Sequence, residues 1–206
     1  MVRALLPPKT YMPAGSPTIW KGTNRDKRML LEVARHSLTL AAERRETLED
    51  LPEGEKLREP GGAFVTLRRR GRLRGCIGQL PSKEALVRVV AYCAKGAALE
   101  DPRFEPVRAD EVAGLDVEVS VISPLEEMSP ECIEPGKHGL VISKGWERGV
   151  LLPQVAADHG WTAERFLEET CAKAGLERDA WKDPTTRIQA FTADVFSESD
   201  FESKDD

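Results

Sequence analysis

Leu73-Arg74-Gly75-Cys76-Ile77-Gly78-Gln79-Leu80 sets an arginine, a cysteine and two glycines inside what reads as a β-strand. Glycine weakens a strand, because it adds chain entropy and brings no side chain to pack. Its recurrence at Gly75 and Gly78 predicts a close approach to the backbone there. Alternate residues of an extended chain share a face. The pattern therefore puts Arg74, Cys76 and Gly78 on one side, and Leu73, Gly75 and Ile77 on the other. One face is apolar, and the other presents a guanidinium beside a thiol. The preceding stretch, Gly62 to Arg68, alternates Ala63, Val65 and Leu67 with Phe64 and Thr66. It reads as a partner strand, with Arg69-Arg70-Gly71-Arg72 as the turn of a hairpin. The run Arg68-Arg69-Arg70 sits at the tip, where charge discourages edge pairing.

Upstream, residues 1–22 form an irregular, proline-bearing leader in which Tyr11, Ile19 and Trp20 could dock on the fold. Thr23-Asn24-Arg25-Asp26 fits a capping box with Asp in place of Glu. A helix to about Glu46 follows, with Leu30, Val33, Ala34, Ser37, Leu38 and Ala41 on its apolar stripe and His36 off it. Downstream, Pro81-Ser82 opens a helix with Leu86, Val89, Val90, Cys93 and Ala97 as the buried stripe, and Asp101-Pro102-Arg103-Phe104 breaks it. Leu115 to Ile122 is the cleanest strand. Glu118 and Ser120 share its polar face, and a buried carboxylate there needs a partner, for which Arg74 is the natural choice.

The chain then changes character. A connector with prolines at 124, 130 and 135 leads to two short strands, His138 to Lys144 and Gly149 to Pro153. A short helix at Gln154 to His159 follows. Thr162 caps another, with Phe166, Leu167, Thr170, Cys171 and Ala174 on one face. Arg187 to Ser197 reads as one long closing strand, and Glu198 to Asp206 as a disordered acidic tail. There is no βαβ alternation, no G-x-G-x-x-G and no P-loop. The order predicts a single domain of α+β class with an antiparallel main lobe, residues 1–123 plus 186–206. A smaller lobe, about 125–183, is inserted into it, and only two connections would join them, so relative motion is expected.

Bulk properties narrow the function. The chain has 206 residues, 40% hydrophobic, and a net charge of −5. That balance argues against nucleic acid or an anionic membrane as the main partner. Cys76, Cys93, Cys132 and Cys171 form no C-x-x-C pair and no zinc spacing, so neither a metal nor a cofactor is expected. No secretory segment and no apolar run of about 18 residues is present, which predicts a cytoplasmic protein with reduced thiols.

The hexapeptide Leu73-Arg74-Gly75-Cys76-Ile77-Gly78 resembles the signature of the AMMECR family, whose microbial members are called AmmeMemoRadiSam system protein A. Gly62 to Leu67, Asp101 to Phe104, Val117 to Ser120, Lys137 to Leu140, Leu151 to Val155, Phe166-Leu167, Lys173 to Leu176 and Ala180-Trp181 resemble the family pattern in the same order. The resemblance implies two unequal lobes, each with a mainly antiparallel sheet flanked by helices. It also implies a cleft between them with the hexapeptide at its edge. It implies association with a Memo-like protein and a radical SAM protein, and it implies no particular reaction.

Two functions fit these residues. In a thiol enzyme Cys76 is the nucleophile, Arg74 favours its thiolate, backbone N–H groups beside Gly75 and Gly78 hold an oxyanion, and His138 is the base, with His159 second. In a binding module a peptide or small molecule meets Arg74, Gly75, Gly78, Arg103, Glu118, Ser120 and Gln154. A scaffold for the two partner proteins, docking through the arginine tip, is a variant of the second. The plain alternative for Cys76 is a small residue filling a tight strand pair.

Overall fold

A computed structural model describes residues 20–44, 48 and 50–201. The leader expectation for residues 1–19 and the tail beyond Phe201 lie outside them. The elements run α1 (Asn24–Arg44), α2 (Glu55–Arg58), β1 (Gly62–Arg69), β2 (Arg72–Gln79), α3 (Leu86–Leu99), β3 (Asp116–Ile122), β4 (Glu126–Glu127), β5 (Gly139–Lys144), β6 (Glu147–Leu151), α4 (Pro153–Asp158), α5 (Ala163–Lys173), β7 (Arg187–Phe191) and β8 (Ala193–Ser197). The fold is α+β, with two antiparallel four-stranded sheets ordered β2-β1-β3-β8 and β4-β7-β5-β6.

The first sheet forms where the alternation is strongest. Ala63, Val65 and Leu67 of β1 and Val117, Val119 and Val121 of β3 bury one face against α1 and α3. Helix α1 starts at the capping box: the Thr23 N–H donates to Asp26 Oδ2 at 2.8 Å and the Asp26 N–H to Thr23 Oγ1 at 3.3 Å. Helix α3 begins at Leu86, not at Ser82. Ser82 Oγ instead accepts the Glu84 N–H and the Gln79 side-chain amide, and an isolated bridge joins Pro60 to Ala85, so residues 81–85 stay outside the helix as a bent connection.

In the second sheet, Leu140, Ile142, Ile188 and Ala190 pack with Phe166, Leu167 and Cys171 of α5. The stretch read as one closing strand is two. Arg187–Phe191 pairs with β5 and β4 in the second sheet, the chain crosses at Thr192, and Ala193–Ser197 pairs with β3 in the first. The return to the first sheet therefore falls at Thr192, not at residue 186. The two crossings are tied to each other: the Ser123 N–H donates to the Thr192 carbonyl at 2.9 Å, and the Thr192 N–H to Ser123 Oγ at 3.0 Å. Glu198–Asp200 is an ordered turn, not a disordered tail. The Glu198 carboxylate accepts from the Arg35 guanidinium and from the Val117 N–H.

Between the sheets runs an apolar seam. Ile122, Val141, Leu152 and Phe191 are buried there, with Phe64, Leu80, Leu125, Val150, Val155 and Ala193 packed against them. Burying a side chain of this size is worth about 1.5–3 kcal/mol. A seam of several such residues packs the two lobes against each other.

Candidate functional site

Beside the seam the sheets diverge and leave a cleft of about 380 Å³. The first lobe supplies Phe64, Thr66 and Arg68 from β1, Leu73 and Cys76 from β2, Glu118 from β3, and Arg103 from the loop after α3. The second lobe supplies Val150 and Leu151 from β6, Leu152, then Gln154, Val155 and Asp158 from α4, with His159 and Lys173 at the mouth.

A β-bulge decides which residues of the hexapeptide face this space. Leu67 pairs with Gly75 but Arg68 pairs with Leu73, so Arg74 is the extra residue. Across it the strand's alternation inverts. Leu73 joins Cys76 in the cleft, while Arg74 leaves it and donates to Glu111 Oε2 at 2.9 Å and to the Glu105 carbonyl at 2.9 Å. The expectation that Arg74 stands beside Cys76 is corrected. So is its pairing with Glu118: β1 lies between β2 and β3, and Glu118 meets Arg68 Nε at 3.3 Å instead.

The two glycines also receive a different explanation. A Cβ on Gly75 would lie 2.2 Å from the Ala97 carbonyl oxygen of α3, and one on Gly78 would lie 2.0 Å from the Phe64 ring. The close approach is made by the protein's own chain, not by a ligand. The Cys76 N–H, on the free edge of β2, donates to Asp101 Oδ2 at 2.8 Å, so it is not a vacant oxyanion donor.

Burial pushes the Cys76 thiol above its ordinary range. A hydrogen bond from Thr66 Oγ1, at 3.4 Å, and the charge of Arg103 act the other way, while Asp101 and Glu118 add to the rise. The balance favours the neutral thiol. Arg103 keeps its place in the site, clamped by Asp101: Nε donates to Oδ1 at 2.9 Å and Nη2 to Oδ2 at 2.7 Å. These bonds, with those from the Cys76 and Arg103 N–H groups, bring the Asp101 carboxyl down to about 2. Glu118 and Gln154 line the cleft, and fully buried Ser120 accepts from Gln154 Nε2 at 3.1 Å.

His138 does not reach the cleft. It is 4% exposed, its Nδ1 accepts the Glu134 N–H at 3.1 Å, and burial lowers its pKa. His159 is the histidine that lines the same space as Cys76, with its ring stacked on Trp161 at 4.8 Å. Sequence reasoning passed over Asp158, and met Lys173 only as the start of the family-like stretch Lys173 to Leu176, with no site role. They reach the mouth because α4 and α5 both end there, which is a fact of tertiary packing. Among the described residues no His, Cys, Asp or Glu cluster could hold a metal ion, and no helix is long and apolar enough to cross a membrane.

Comparison with known proteins agrees with this architecture. The AMMECR1 family model matches residues 31–196. A protein of Methanothermobacter thermautotrophicus is 45% identical over 157 residues, 73% of this chain and 81% of its own. One of Aquifex aeolicus is 39% identical over 185 residues, 85% of this chain and 94% of its own. The crystal structure of uncharacterized protein PH0010 from Pyrococcus horikoshii superposes with a TM-score of 0.76 at 40% identity, covering 82% of this chain and 89% of that one.

Proposed function

The chain belongs to the AMMECR1 family, and from that premise we propose that the inter-lobe cleft is a preformed ligand-binding site in which Cys76 is a neutral contact rather than a nucleophile. The observation that carries this is the half-buried thiol on the wall of a cleft beside the apolar seam, where burial raises its pKa and so favours the neutral form. A thiol enzyme needs a thiolate or a base to make one. Arg74 is committed to Glu111 and His138 to Glu134 outside the cleft, and His159, the histidine that does line the cleft, has its ring stacked on Trp161. The walls suit a ligand with an apolar body, since Phe64, Leu73, Val150, Leu151, Leu152 and Val155 all line them.

The test uses N-phenyl-1-naphthylamine, a neutral fluorescent probe. It binds the native chain and Cys76→Ser alike, and Val150→Trp, which fills the cleft, excludes it. Loss of binding in Cys76→Ser with an unchanged circular dichroism spectrum overturns the reading. So does labelling of Cys76 by iodoacetamide faster than exposed Cys132 at pH 7.

A second reading concerns partners. Arg70 and Arg72 at the β1–β2 tip are exposed and have no partner among the described residues, unlike Arg69 and Arg74, which share Glu111. This supports docking of a Memo-like or radical SAM protein on the tip. Co-purification should survive Cys76→Ala and fail when Arg70 and Arg72 both become Glu.

A further inference from the structure

Resting on the reading of the cleft as a binding site, we infer that its ligand carries a carboxylate, held at the mouth between Arg103 of one lobe and Lys173 of the other. The argument begins with the clamp on Arg103. Asp101, its side chain 3% exposed, takes the Nε and Nη2 protons on one side of the guanidinium. The end of the fork, Nη1 and the second Nη2 proton, makes no hydrogen bond among the described residues, the guanidinium lies over the Phe104 ring at 5.5 Å, and the Arg103 side chain is 48% exposed where it lines the cleft. A guanidinium fixed in this way has already lost its rotamer freedom, so it can take up a planar carboxylate at little further entropy.

Lys173 completes the arrangement from the opposite wall. It is the last residue of α5, lines the mouth, and makes no ion pair or hydrogen bond among the described residues. The third cation of the cleft, Arg68, is engaged by Glu118. The opposing charges are Asp101, which holds one side of Arg103, Glu118, already answered by Arg68, and Asp158, which makes no ion pair among the described residues. A head group at Arg103 and Lys173 leaves the apolar wall for the body of the same ligand, so one molecule satisfies both halves of the cleft.

The probe pair is pyrenebutyric acid and its methyl ester, which share a body and differ in the head group, a carboxylate in one and a neutral methyl ester in the other. The acid should bind the native chain about ten-fold tighter than the ester, the size of one charge-assisted pair. Lys173→Ala and Arg103→Ala should each remove most of that gap while leaving the ester unchanged, and Asp158→Asn should widen it. Raising the salt to 0.5 M should narrow it. Because Arg103→Ala leaves the Asp101 carboxylate without its partner, Lys173→Ala, at an exposed helix end, is the variant that decides if the former fails to fold. Equal affinity of acid and ester in the native chain overturns the inference while leaving the cleft reading intact, as does an equal loss of both in Lys173→Ala. Failure of both probes to bind, or binding that Val150→Trp leaves untouched, overturns the two together.

Discussion

Each lobe lends one hairpin to the cleft, and the two differ in how regular they are. Both close on two-residue turns, Arg70-Gly71 between β1 and β2 and Gly145-Trp146 between β5 and β6. Both offer their second strand to the cleft: Leu73 and Cys76 in one case, Val150 and Leu151 in the other. The β5–β6 ladder is unbroken, so which side a residue faces follows from its position in the sequence. The β1–β2 ladder carries a bulge, its edge is latched by Asp101, and its glycines are filled by neighbouring backbone and ring atoms. A regular hairpin can be read by counting; a bulged one takes its facing from a single extra residue.

The comparison can be broken most severely at Gly75. Replacing it with Ala drives a methyl group into the Ala97 carbonyl, which the helix cannot move. Gly75→Ala should destabilise the fold by about 3 kcal/mol, read as a lower urea midpoint. Gly145→Ala in the other hairpin meets open space at φ +60°, so it should cost only about 1 kcal/mol of backbone strain.

Between these lies the latch. Asp101→Ala should cost about 2 kcal/mol, since charged hydrogen bonds to Arg103 and to the Cys76 N–H are lost together. Its pH dependence gives the sign. The folded carboxyl titrates at about 2, below the unfolded value of about 3.9. Its contribution is whole above pH about 4 and falls away between about 4 and 2, where the chain binds more protons unfolded than folded. The stability gap between native and Asp101→Asn chains should close over that window, and a gap constant from pH 5 to 2 would remove Asp101 from the account.

The smallest effect is expected at the tip of the bulged hairpin. Arg70 has φ +52°, where glycine and asparagine are at ease and a long side chain is strained. Arg70→Asn should stabilise by about 0.5 kcal/mol, seen as a rise in Tm.

Much of the fold was legible because burial leaves a period. The stripe of α1 from Leu30 to Ala41, the valines of β3 and the Thr162 cap of α5 all appear where their spacing puts them. The break at Thr192 was not legible: Arg187 to Ser197 keeps one β pattern throughout, and only the pairing partners change. Cys76, Arg103, Glu118 and Gln154, singled out in the sequence, come to line one cleft. Arg74 was misplaced because a bulge leaves no mark in alternation. His159 and Lys173 were missed or ranked low because helix ends meet by packing, which no local spacing records.

The tie between Ser123 and Thr192 joins residues 69 apart in the sequence. Everything between them is a loop pinched shut at its neck, yet its strands are shared out between both sides of any cut at Gly145-Trp146. A chain severed at that exposed turn would keep β5 on one fragment and β6 on the other, hydrogen-bonded along their length. It would also keep β3 and β8 apart in sequence but paired in space. Neither fragment could leave without dismantling both sheets. The molecule is thus clasped like a buckle, and protease nicking at its most exposed tryptophan should leave its mobility on a native gel unchanged.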